Sequence, residues 1–107
     1  MLNADRTVIR LDGEYDIATA SVLHDSLAVA ISVDDADLVV DLSGVTFIDA
    51  ATIGVLIGGR NSLRGQSRSL TLRDPSRCAS RLLDLCGLNG LLESGPAQLV
   101  AAAGRVR

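Results

Sequence analysis

Residues 38–60 read Leu38-Val-Val-Asp-Leu-Ser-Gly-Val-Thr-Phe-Ile-Asp-Ala-Ala-Thr-Ile-Gly-Val-Leu-Ile-Gly-Gly-Arg60, and the fold turns on how that stretch divides. Leu38 to Leu42 is an apolar run interrupted only by Asp41, the pattern of a short central parallel strand covered on both faces. A polar turn follows. From Asp49 the period changes: Ile53, Leu56 and Ile57 recur at helical spacing, with Arg60 and Arg64 one turn apart on the outer side. Asp49 is the natural N-cap, which places Ala50, Ala51 and Thr52 in the first turn and makes the Thr52 N–H a partner for the Asp49 carboxylate. Such a strand-to-helix corner exposes backbone N–H groups at the positive end of the helix dipole, where a negative group is favoured.

Gly54 and Gly58 stand four apart inside this helix. Glycine there costs about 1 kcal/mol relative to alanine, so the pair predicts close approach of the helix backbone to the sheet. Neither the Walker spacing nor GxGxxG is present, and the glycines fall inside the helix rather than before it, so a phosphate cradle is not indicated.

Upstream, Thr7 to Leu11 alternates apolar and polar, Gly13 breaks the run, and Glu14 to Ile17 resumes it, which predicts a two-part strand or hairpin at the sheet's edge. Asp16 or Thr19 can cap a helix whose stripe is Ala20, Leu23, Leu27, Ala30 and Ile31, ending near Ser32 or Val33. Asp34, Asp35 and Asp37 form an acidic turn, read as a solvated loop. Downstream, Leu70 to Arg73 is another strand; Asp74-Pro75-Ser76 opens a helix bearing Ala79, Leu82, Leu83 and Cys86, and Gly87 suits its C′ position. Leu91 to Glu93 predicts a last short strand and Ala97 to Ala103 a terminal helix, with Arg105 and Arg107 near its carbonyl end. The expected order is β-β-α-β-α-β-α-β-α: an α/β domain spanning 1–107, with a small, mostly parallel sheet of 4–5 strands and about four helices packed on it.

Composition narrows the chemistry. The 107 residues are 48% hydrophobic but only 2% aromatic, so the core is aliphatic, and 21% are charged with a net charge of −3. Acidity and the lack of stacking rings argue against nucleic acid as a partner. No apolar stretch of about 18 residues suggests membrane insertion, and a cytoplasmic location is expected. His24, the single histidine, sits beside the helical stripe rather than in it, and no G-x-S-x-G elbow offers it a serine, so catalytic residues are not expected. Cys78 and Cys86, eight apart in one predicted helix and so roughly 12 Å along its axis, cannot form a disulfide there and do not match zinc spacing. No metal set or cofactor cradle is visible. Arg60, Arg64 and Arg68 recur every four residues, a solvated face or a contact for an acidic partner.

Four segments, taken in order and spacing, form a combination. They are Leu11-Asp-Gly-Glu-Tyr-Asp16, Val39-Val-Asp-Leu-Ser43, Phe47-Ile-Asp-Ala-Ala-Thr-Ile-Gly54 and Leu82-Leu-Asp-Leu-Cys-Gly-Leu88. Over nearly its whole length the chain thereby resembles a STAS domain of the bacterial anti-sigma factor antagonist type, whose signatures read L-x-G-E-L-D and F-x-D-S-S-G-L-G at the first and third of these. The resemblance implies a partner switch: the antagonist binds an anti-sigma factor, usually a serine kinase with a GHKL-type ATP-binding domain, frees a sigma factor for transcription, and is released when its signature serine is phosphorylated. On its signature segments it implies that Asp16, Asp49, Ala51, Thr52 and Gly54 contact the partner, and the arginine face adds Arg60 as an expected contact. The departure from the family lies at the switch. Ala51 occupies the phosphoacceptor position and Thr52 the position of the family's glycine, which predicts a binder without the usual switch, Thr52 being the one displaced acceptor nearby. The resemblance also leaves room for a STAS module acting as scaffold or regulatory subunit in a sensory assembly or beside a lipid-transport ATPase.

Overall fold

The computed structural model describes residues 6–92. Within them the elements are β1 (Arg6–Tyr15), α1 (Ala20–Val33), β2 (Asp37–Ile48), α2 (Ala50–Arg64), β3 (Leu70–Arg73), α3 (Arg77–Leu85) and a 3-10 turn over Asn89–Leu91. The sheet order is β1-β2-β3 with both pairings parallel, so each strand returns to the sheet through a helix. Three strands and three α-helices are present among the described residues, where 4–5 strands and about four helices were expected over the whole chain. Of the last predicted strand only a single parallel bridge, Leu72 to Leu92, is present among these residues, and the terminal helix expected at Ala97 to Ala103 lies outside them.

Two divisions of the sequence are resolved. Of the two-part strand and the hairpin that Thr7–Leu11 and Glu14–Ile17 allowed, the two-part edge strand is the one that forms. The two segments are one strand, β1, which pairs with β2 on both sides of Gly13, while Ile17 falls in the turn beyond. Gly13, at φ +93°, takes the distortion within the strand instead of reversing it. Likewise the polar turn expected after Leu42 does not exist: β2 runs on to Ile48, and its register against β1 slips between Arg10 and Asp12 and again between Gly13 and Glu14. These irregularities absorb the extra β2 residues that a local reading took for a turn. A Cβ on Gly44 would stand 1.8 Å from Asp12 Oδ1, so any larger residue there would push the exposed Asp12 side chain aside. Asp41, which interrupts the apolar run, accepts the Ser43 N–H at 2.8 Å; that bond and the Ser43 hydroxyl hold its carboxyl below the usual carboxylate range.

One aliphatic core joins the helices to the sheet. Leu38, Val40 and Leu42 of β2 and Leu70 and Leu72 of β3 meet Leu23 and Leu27 of α1, Leu56 and Leu63 of α2, and Leu83 of α3. Truncating any of the fully buried leucines to alanine would cost about 2–5 kcal/mol. Alternation puts the other set of side chains on the opposite face of the sheet, where Arg10, Asp41 and Arg73 occupy one register row across the three strands. The α2 glycines also depart from expectation: Gly54 and Gly58 have nothing within 4 Å of an added Cβ, and Gly59 is the one packed against Leu70 and Leu27. Arg68 does not continue a helical arginine run either. It lies past the end of α2 and donates to the carbonyls of Ala36 and Ile31, tying the α2–β3 loop to the α1–β2 loop.

Candidate functional site

Parallel pairing brings the C-terminal ends of β1 and β2 side by side, and each strand there hands over to a helix. Tyr15 pairs with Ile48, and the Asp49 N–H donates to the Tyr15 carbonyl at 3.2 Å, so the approaches to α1 and α2 form one corner. This places Asp16 and Asp49, 33 residues apart in sequence, next to each other in the fold.

The Asp49 side is a capped helix start. Asp49 Oδ1 accepts the Thr52 N–H at 3.1 Å and the Thr52 hydroxyl at 3.2 Å, and the Ile53 N–H reaches the Asp49 carbonyl at 3.2 Å. Thr52 is fully buried, at 0% exposure, with its hydroxyl committed to Asp49. Ala51 is half-buried, while Ala50 and Gly54 are exposed. The Asp16 side is a turn. Its Oδ1 accepts the N–H groups of Ala18 and Thr19 at 2.9 and 3.2 Å, and the Thr19 hydroxyl bridges the Asp16 N–H and carbonyl. That turn holds Ile17 outward, 77% exposed, at the corner; Phe47, 48% exposed, lies one residue before Ile48 on the strand that leads there.

Of the residues expected to meet a partner, Asp16, Asp49, Ala51 and Gly54 are thus brought together, and Thr52 lies beneath them. Arg60 is not part of this group. Nine residues beyond Ala51, it lies about 180° around α2 and more than two turns along it. Ile17 was missed by sequence reasoning because it was assigned to a strand. The signal that reveals it is an aspartate followed by two residues and a threonine, a turn sequence that leaves the apolar residue between them without a core to enter.

The corner combines two carboxylates, the N–H groups of a helix start, and a large exposed apolar side chain, features suited to docking a protein surface. Among the described residues no group of three or more His, Cys, Asp or Glu is placed to hold a metal ion, and no helix is long and apolar enough to cross a membrane. A family model described as "Mlab, STAS domain" matches residues 2–93. The chain belongs to the STAS-domain family. Within it, the protein is 31% identical over 91 residues to the anti-sigma-B factor antagonist of Bacillus subtilis (strain 168), covering 85% of this chain and 83% of that one. The anti-sigma-B factor antagonist of Listeria monocytogenes serovar 1/2a is also 31% identical over 91 residues, covering 85% and 80%. The solved structure of the anti-sigma factor antagonist SpoIIAA in its unphosphorylated form superposes with a TM-score of 0.74 over 100% of this chain and 94% of that one. At 19% identity that likeness speaks for the STAS fold alone.

Proposed function

We propose that this STAS protein is an anti-sigma factor antagonist: it binds an anti-sigma factor of the GHKL serine kinase type through the corner of Asp16, Ile17, Asp49, Ala51 and Gly54, and so frees a sigma factor for transcription. The observation that carries the reading is the corner itself, where the Asp49–Tyr15 hydrogen bond fixes two strand-to-helix junctions together and leaves Ile17 exposed beside them. Arg60, on the far flank of α2, stays out of the contact. The protein acts as a binder rather than as a catalyst, and the scaffold role has no observation of its own in its favour.

The usual release step is missing. Ala51 has no hydroxyl to accept a phosphoryl group, and Thr52 can present its hydroxyl only if the first turn of α2 opens and Asp49 gives up two hydrogen bonds. Regulation therefore rests with the partner. The test mixes the full chain with its anti-sigma kinase and ATP, then reads complex formation by size exclusion and phosphorylation by intact mass. A stable complex and an unmodified chain are expected. The Ala51→Ser variant should gain one phosphoryl group and leave the complex. Absence of any complex, or a phosphoryl group on wild-type Thr52, would overturn the reading.

A further inference from the structure

Beyond the corner, the outer edge of β1 and the outer face of α1 form a side of the molecule that meets the corner only at Tyr15 and Thr19. Among the described residues β1 is the edge of the sheet, ten residues long, with its even-numbered side chains exposed in strict alternation and no proline in it. A long edge of this kind presents unpaired N–H and carbonyl groups that another strand can pair with. The Asp12 N–H on this edge is met within the chain by the Tyr15 hydroxyl at 3.1 Å, a bond that strand pairing here has to exchange. Directly above, α1 carries a second unpartnered feature: Val22, Val29 and Val33 are 64%, 61% and 69% exposed and lie on one stripe of the helix, at i, i+7 and i+11. The stripe begins at a groove of about 420 Å³ between the two elements, whose lining includes Ile9, Leu11, Val22 and Ser26.

We infer that this side docks a second copy of the same chain, the two β1 strands pairing antiparallel edge to edge and the two α1 helices lying side by side. The charge pattern of β1 is complementary to a second copy of itself. Arg10 and Asp12 flank Leu11 with opposite charges, so an antiparallel copy centred on Leu11 sets each Arg10 opposite the other chain's Asp12, and Leu11 against Leu11 on the helix side. Within one chain the same two side chains already pair at 2.9 Å, both well exposed, and they can exchange partners with little loss. The two-fold axis of such a pair stands perpendicular to the sheet. It keeps the helices of both copies on one face and brings the valine stripes together over the joined strands. The result is a continuous six-stranded sheet, counted over the described residues, in which groove and stripe are both covered.

The test is sedimentation equilibrium or light scattering of the full chain from about 1 µM to about 1 mM, without any anti-sigma factor. A mass twice the 11.1 kDa of the chain is expected within that range. Arg10→Asp and Asp12→Arg, each alone, should weaken association at least tenfold by setting like charges opposite one another. The double variant should recover it, because the swapped charges pair again across the axis. Val22→Asp should also weaken it at least tenfold, an independent check on the helix contact. All of these substitutions are on exposed positions, and circular dichroism of each variant should match the wild type. A chain that remains monomeric across the range overturns the proposal, as does a dimer whose affinity changes less than threefold on either single charge reversal, or a double variant that fails to recover.

Discussion

The two strand-to-helix junctions at the corner begin with the same residue type and end in different structures. Asp49 caps α2 directly, with Thr52 folded beneath it, and the first turn becomes part of the core. Asp16 is three residues further from the helix it precedes. Its carboxylate closes a turn instead, and Thr19, the N-cap residue of α1, makes no side-chain cap bond. One aspartate therefore rigidifies a surface and the other lifts an apolar side chain out of it. The proposed docking site would use both, a fixed platform and an exposed anchor.

Substituting Thr52 tests the platform most severely. Thr52→Asp places a charge in a fully buried position beside the Asp49 carboxylate, and a loss of about 3 kcal/mol or more is expected, read as a fall in the thermal or denaturant midpoint. A variant made to mimic phosphorylation there would unfold the corner rather than report on binding. Asp49→Ala removes a cap that accepts two hydrogen bonds and should cost about 2 kcal/mol, whereas Asp16→Ala should cost about 0.5–1 kcal/mol; equal losses would erase the distinction between the two junctions. Ile17→Asp should leave stability within about 0.5 kcal/mol while weakening the complex with the anti-sigma factor about tenfold, or about 1.4 kcal/mol, by titration calorimetry. Unchanged affinity would remove Ile17 from the contact.

The smallest effect concerns pH. The folded Asp41 carboxyl titrates below its unfolded value because Ser43 bonds its charged form, so its contribution is present above the usual carboxylate range and is lost as the pH falls through the folded value. Asp41→Asn should flatten part of the acid-side decline in the melting temperature and leave the neutral-pH slope unaltered. A decline identical to that of the wild type would show that the Ser43 bond contributes nothing to acid stability.

Some elements were legible from local chemistry. β3, the α3 start at Ser76 and the stop at Gly87 fall where the sequence puts them: Ser76 accepts the Ala79 N–H and Gly87 adopts φ +69°, interactions made within a few residues along the chain. The same holds for the Asp49 cap and its bond to Thr52. The misreadings share another property: each depended on a neighbour distant in sequence. Ser43 and Gly44 look like a turn until β1 is laid beside them, when the glycine proves to make room for Asp12. In α2, apolar residues at Ile53, Val55, Leu56 and Ile57 surround so much of the helix that periodicity does not say which flank faces the sheet, and the packed glycine is Gly59 rather than Gly54 or Gly58.

By itself the sequence determined the alternation of strands and helices, the capped corner at Asp49 and the absence of a hydroxyl at Ala51, because these follow from residue identity and contacts spanning one turn. Only the tertiary structure decided that Asp16 adjoins Asp49, that Arg60 does not, and that Thr52 is buried while Ile17 is exposed. Parallel pairing across an intervening helix sets those neighbours, and burial belongs to the packed sheet and helices together, not to any segment of them.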